Sequence, residues 1–228
     1  MSRRRAKRRR KRSARGAARP KHAAARPKAA RPNAAARRTP SARPTARRSP
    51  TPDLAALARA FAAAPTRQKA LERLLTEARQ LTRAEAGTVY LRDGEALRFV
   101  VVQNDVLARR LGREAFERRL STEPLPLSRV SIATWVALTK STVNLPAVHD
   151  YPLDRPYSVD RRFDRRMDYQ TRSVLALPLR DAGGGVVGVV QLINALDRRG
   201  RVVSFDRAAQ TAVVALADAV TGRLPVRV

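Results

Sequence analysis

His149 and Asp150, adjacent in the run PAVHD, are the residue types that a general base and its orienting carboxylate would require. No serine motif or second histidine stands with them, because the other histidine, His22, lies in a stretch of Ala, Arg and Pro. The chain has no cysteine, which removes thiolate nucleophiles, cysteine-held metals and disulfides. Asp150, Asp154, Asp160, Asp164 and Asp168 carry the oxygen ligands of a metal cluster, yet Arg155, Arg161, Arg162, Arg165, Arg166 and Arg172 interleave with them. That alternation reads as a charge-compensated, solvated loop and short helix. The glycines at 183–185 are followed by no helix bearing Lys and Ser or Thr, so they read as a turn rather than a phosphate loop. No catalytic centre assembles from these residues, and the expectation is a binding protein, not an enzyme.

The elements that must position any site are clearest in TRSVLALPLRDAGGGVVGVVQLIN, residues 171–194. Two apolar runs, Ser173 to Leu179 and Val186 to Ile193, flank DAGGG, and their β-branched residues favour a hairpin over a helix. Strands apolar at nearly every position need cover on both faces. A lone polar Gln191 in such a strand needs a partner or a cavity. Upstream, Asp53 is placed to cap a short helix with Leu54, Leu57, Ala58 and Phe61 on one stripe, and Pro65 ends it. Thr66 starts a second helix bearing Leu71, Leu74, Leu75, Ala78 and Leu81, for which Gly87 is the expected stop. Thr88 to Leu91 and Ala96 to Val102 form a hairpin around RDGE. Residues 104–120 read as a basic, mobile helical or loop insertion. At the far end Ser204 is the expected cap of a helix carrying Ala209, Ala212, Val213, Leu216 and Val220, with Gly222 and Pro225 beyond it. The first and last helices thus offer stripes to one sheet face, leaving the other for a pocket.

In order along the chain, SIATWVALTK (131–140), VNLPAVHD (143–150), RRFDRRMDYQTRS (161–173) and GGVVGVVQLIN resemble a GAF domain, over about residues 66–222. The resemblance implies an α/β (α+β) fold with a central antiparallel sheet flanked by helices, and a small-molecule sensing role. It divides the chain into a tail at 1–52, a short helix and linker at 53–65, the GAF domain at 66–222 and a terminal stretch at 223–228. It further implies a pocket between the sheet and a lid, lined by Ile132, Ala133, Phe163, Asp164, Met167, Thr171 and Gln191. The ligand implied is a cyclic nucleotide or another small molecule, with no certain cofactor. Several features depart from nucleotide-binding members: Thr134 and Lys140 replace glycines usual in the helix motif, and Trp135 adds bulk. The Asn, Lys, Phe, Asp, Glu signature is missing as well, since VHDYP offers no Asn and Lys pair, and Val202 and Arg207 stand where Phe and Glu belong. Cysteine-dependent sulfoxide reduction and bilin attachment, found in some relatives, lack their cysteine here.

Charge singles out the remaining part. Residues 1–50 hold 20 of the 48 Lys and Arg and none of the 19 Asp and Glu, so they carry +20 of the net +29. With seven prolines and no aromatic in the first 52 residues, this arm is expected to be disordered. Its densest run, Arg3, Arg4, Arg5, Lys7, Arg8, Arg9, Arg10, Lys11 and Arg12, is the expected nucleic-acid or polyanion contact, sequence-independent because it addresses phosphates. Thr39, Ser49 and Thr51 each precede Pro and could accept a phosphate that weakens it. No apolar segment follows the basic start, as a secretory signal requires, and no run approaches the roughly 20 apolar residues of a membrane span. A cytoplasmic location is expected, as is a homodimer through the helices at 66–85 and 205–222, whose stripes leave apolar surface to bury.

Overall fold

The structure, a computed structural model, describes residues 53–120, 123–128, 131–148, 155–159 and 161–221. The arginines and lysines from Arg3 to Arg12, His22, Thr39, Ser49, Thr51, His149, Asp150, Asp154, Asp160, Gly222 and Pro225 lie outside them.

Two helices open the described chain, α1 (Leu54–Ala62) and α2 (Arg67–Thr82). The Asp53 carboxylate accepts from the Ala55 and Ala56 N–H groups, and Thr66 Oγ1 accepts from Lys69 N–H, so both expected caps form. Strands β1 (Ala84–Asp93) and β2 (Ala96–Asn104) then pair as a hairpin. The insertion resolves into two short helices, α3 (Asp105–Leu111) and α4 (Arg113–Arg119), followed by β3 (Leu125–Pro126), α5 (Ile132–Thr139), β4 (Val143–Leu145) and α6 (Arg162–Met167). The chain then enters β5 (Val174–Arg180), β6 (Val186–Leu196), β7 (Val202–Val203) and α7 (Arg207–Thr221). Every ladder is antiparallel, in the order β3-β2-β1-β6-β5-β4, with β7 also on β6.

The apolar hairpin is covered on both faces, as its composition requires. Leu175, Leu177, Leu179, Val190 and Leu192 meet α1, α2 and α7 on one face, where Leu71, Leu74, Leu75, Val213 and Leu216 are fully buried. Val174, Ala176 and Val189 turn to the opposite face and pack with Ile132, Ala133 and Val136 of α5. A third, smaller cluster on that second face joins Leu107 of α3, Phe116 of α4, Phe163 and Met167 of α6, and Tyr169.

Two end signals differ from expectation. Helix α2 stops at Thr82, where Arg83 takes the left-handed conformation (φ 55°), and Gly87 lies inside β1. Gly87 is required by close packing: a Cβ there would sit 2.8 Å from Leu75 Cδ1 and 3.1 Å from the Gln191 carbonyl oxygen. At α7 the cap is Asp206, whose carboxylate accepts from Ala209 N–H at 2.7 Å, not Ser204. An acid at a helix N-terminus adds favourable dipole charge to the capping bond.

Candidate functional site: a cleft between two helix starts

The first turn of α5 is held by a capping box. Ser131 Oγ accepts from Thr134 N–H at 3.2 Å, and Thr134 Oγ1 accepts from Ser131 N–H at 3.2 Å. Thr134, which stands where a glycine is usual, thus gives its hydroxyl to the helix start while its side chain is buried. A parallel bridge pairs Ser131 with Ser158, and the rings of Trp135 and Tyr157 lie 5.7 Å apart, which seats the 155–159 segment against α5. At the other end of α5, Lys140 adopts φ 58°, the left-handed position for which glycine is suited.

Helix α6 is short and two-sided. Phe163 and Met167, four residues apart, point into the third cluster, so Arg162 and Arg165 are left on its exposed side with Arg161 just before it. Between α5, β3 and α6 opens a cleft of about 530 Å³. Leu125, Pro126 and Val159 supply its apolar wall, Ser128, Ser131, Thr134 and Ser158 its hydroxyl-bearing residues, and Arg161, Arg162 and Arg165 its charge. Among the described residues no carboxylate and no aromatic residue lines it. Because the N–H of Ala133 falls in the first turn of α5, it has no carbonyl of its own helix to bond, and the helix start adds partial positive charge.

The seven residues implied by the family resemblance fall elsewhere on the same elements. Ile132 and Ala133 are buried side chains of the α5 core, able to offer a ligand only backbone N–H groups. Phe163 and Met167 fill the third cluster. Asp164 and Thr171 are brought together: Thr171 donates its N–H to one carboxylate oxygen at 2.8 Å and its hydroxyl to the other at 2.9 Å. Gln191 is half-buried on β6, opposite Thr88 and Ala176, on the face shared by α5 and α6. None of the seven lines the cleft. The sequence reading gave Thr134 only as a departure from the family and Arg161, Arg162 and Arg165 only as charge compensation, although the i, i+4 spacing of Phe163 and Met167 sets those arginines on the open side.

Two other polar features share this half of the molecule. Tyr90, ring-paired with Phe99 at 4.8 Å, is buried deeply enough to push its hydroxyl up to about 12, the Thr88 hydrogen bond opposing the rise. Beyond α6, Asn194 (φ 56°) has its amide nitrogen 2.6 Å from Glu85 Oε1 and 2.7 Å from the Gln170 carbonyl. Its amide oxygen accepts from the Arg172 and Ser173 N–H groups, and Tyr169 donates its hydroxyl to Glu85 at 2.7 Å. Burial, followed by the Glu85 carboxylate, raises the Tyr169 hydroxyl far above its ordinary range, so it remains a donor. Among the described residues no His, Asp or Glu group is arranged to hold a metal ion.

Comparison with known proteins places these features in context. A family model described as the GAF domain matches residues 66–224. The cGMP-specific 3',5'-cyclic phosphodiesterases of Drosophila virilis and Drosophila melanogaster are 27% identical over 128 residues. That alignment takes in 54% of this chain but 13% and 11% of those proteins, so the chain spans a small part of the curated relatives it matches. Solved structures agree in fold. The GAF domain of an Acinetobacter phosphoenolpyruvate-protein phosphotransferase superposes with a TM-score of 0.54 at 15% identity, covering 75% of this chain and 89% of that one. Free methionine-R-sulfoxide reductase of Neisseria meningitidis gives 0.52 at 15% identity, over 75% and 85%.

Proposed function

The chain belongs to the GAF domain family, a ligand-binding sensory and regulatory fold, and from that premise we propose that it acts by binding a small ligand in the cleft between α5, β3 and α6. The observation that carries this reading is the convergence of Arg161, Arg162 and Arg165 with the start of α5 on one open volume of about 530 Å³. Ile132 and Ala133 anchor α5, and the Asp164–Thr171 bonds tie α6 to the approach to β5, so these residues shape the site from behind. With no cysteine in the chain, the reduction chemistry of the sulfoxide reductases has no thiol here, and the proposed output is regulatory rather than catalytic. The proposed ligand class includes the cyclic nucleotides named for the phosphodiesterase relatives.

The test is ligand-induced stabilisation of the full chain. A ligand at 100 times its Kd adds about 2.7 kcal/mol, roughly 5–10 °C in Tm for a domain of this size. Ser158→Trp, at an exposed position on the cleft wall, should abolish that shift and leave the unliganded Tm within about 2 °C. An unchanged shift in this variant would move the site elsewhere.

A second reading is favoured by the packing of the sheet face under α5, where Tyr90 and Phe99 of the sheet share one cluster with Ile132, Ala133 and Val136 of the helix. In that reading the fold is a dimeric scaffold and the basic arm, with +20 in residues 1–50, binds nucleic acid in the cytoplasm. Apolar surface expected to drive the dimer is covered within the chain, because Leu57 and Phe61 of α1 pack on the same cluster as α2 and α7. Among the described residues the large apolar side chains most exposed are Leu138 and Val203, at 40% each, neither on α2 nor on α7. A dimer through these helices would therefore use their polar outer faces, and sedimentation at micromolar concentration decides it. No described helix is long and apolar enough to cross a membrane.

A further inference from the structure

We infer that Ser173 couples the two faces of the sheet, relaying the tie between α6 and the chain before β5 to the start of α7 on the opposite face. This goes beyond the cleft reading and needs no ligand. The bonded path begins at Asp164 of α6, whose carboxylate accepts the Thr171 N–H at 2.8 Å and the Thr171 hydroxyl at 2.9 Å. Just beyond Thr171 the chain is clamped to β6. The Arg172 and Ser173 N–H groups donate to the Asn194 amide oxygen at 2.7 and 3.2 Å, and the Asn194 N–H donates to the Ser173 carbonyl at 2.9 Å. Ser173 itself is buried, at the entry to a strand of apolar residues. A hydroxyl there is costly unless it bonds. Both of its capacities are used, because it donates to the Val203 carbonyl at 2.7 Å and accepts from the Ala195 N–H at 3.3 Å.

The bond to Val203 carries the path to the other face. Strand β7 has two residues and pairs with β6 at Ala195 and Leu196 alone, so the Ser173 hydroxyl adds a further hold to a short strand. Soon after β7, Asp206 caps α7: its carboxylate accepts from the Ala209 N–H at 2.7 Å and its carbonyl from the Gln210 N–H at 3.0 Å. A second hold on this turn is independent of α6, since the Asn144 amide of β4 donates to the Phe205 carbonyl and to Gln210 Oε1, each at 3.1 Å. Helix α6 packs in the third cluster and α7 in the first, on opposite sheet faces. The two states are those of the Asp164–Thr171 tie, made or released, and the element they bias is the first turn of α7, formed or frayed. Contact with the outer side of α6 that leaves Asp164 tied is not transmitted.

The experiment is amide hydrogen exchange followed by NMR on the full chain without ligand. Ala209 and Gln210 report the first turn of α7, and Leu74 and Leu75, buried in the middle of α2, report global opening. Asp164→Ala should speed exchange at Ala209 and Gln210 about 5-fold over that reference, the factor that corresponds to about 1 kcal/mol of local stability. Ser173→Ala should speed it at least as much. Adding Asp164→Ala to Ser173→Ala should then change it by less than about 1.5-fold, whereas independent sites would add in full. Asn144→Ala should loosen the same turn and leave the Asp164→Ala factor intact. Ser173→Cys, which keeps the side chain's size with a weak donor, carries the same comparison if the alanine variant does not fold. Exchange at Ala209 and Gln210 unmoved by Asp164→Ala overturns the inference. So does an Asp164→Ala factor that persists in the Ser173 variants, or one that vanishes with Asn144→Ala, which would assign the route to β4.

Discussion

The arginine-lined cleft and the polar cluster around Asn194 lie at opposite ends of the same short helix, α6. Both are built from groups that an apolar core would exclude, yet they resolve their polarity in opposite ways. Asn194 is nearly inaccessible and its amide is matched on every side by Glu85, Gln170, Arg172 and Ser173. The cluster can therefore hold the chain leaving α6 against β1 and β6 but has nothing left for a ligand. The cleft leaves Arg161, Arg162 and Arg165 on the solvent side of α6 and its approach. A buried, satisfied network fixes shape, whereas charged groups that face solvent stay accessible to a ligand.

The largest effect should come from the satisfied side. Asn194→Ala strands the Arg172 and Ser173 N–H groups and the Glu85 carboxylate, and places a Cβ residue without a compensating bond at φ 56°. The expected loss is about 3–5 kcal/mol in urea unfolding, with Asn194→Gly recovering about 1 kcal/mol of it. If alanine costs less than 1 kcal/mol, the cluster is not structural. Asp164→Ala probes the tie between the two regions. It should cost about 1–2 kcal/mol and also weaken ligand binding severalfold, since α6 loses its anchor on Thr171.

A third outcome concerns the dry sheet face beneath α5. Tyr90 stays neutral in the fold up to about pH 12, whereas in the unfolded chain it ionises near 10. Its contribution is thus fully present below pH 10 and is lost as pH rises toward 12. Comparing wild type with Tyr90→Phe in unfolding titrations should show a pH-dependent difference of about 1 kcal/mol opening between pH 10 and 11. A difference independent of pH would mean that water reaches the hydroxyl. The smallest effect belongs to Lys140→Gly, which relieves φ 58° at the end of α5 and should stabilise by about 0.5–1 kcal/mol, read as a rise in Tm.

Much of this architecture is legible in the chain. The run from Ser173 to Ile193 declares a hairpin covered on both faces, and the leucines of α2 declare its buried stripe. Gly87 misleads because a glycine after a helix is ordinarily its stop, whereas here Arg83 accepts the left-handed turn and the glycine serves the approach of Leu75. The cleft proposed above as the ligand site was legible to the element but not to the face. Resemblance points to α5 and α6, and the cleft is built from both, yet through Ser131, Thr134 and the arginines instead of Ile132, Ala133, Phe163 and Met167. Sequence alone does not tell which side of a six-residue helix docks, because one turn and a half carries apolar and basic residues in nearly equal number.

The most direct test of the cleft as the ligand site is amide NMR of the isotope-labelled full chain, titrated with cyclic GMP at about 0.15 M salt. The account predicts shifts in Ser131 to Thr134, Ser158 and Arg161 to Arg165, with Tyr169, Gly188 and Asn194 unmoved. Shifts confined to residues 1–52, or centred on Thr171 and Gln191 with the first turn of α5 silent, would contradict it.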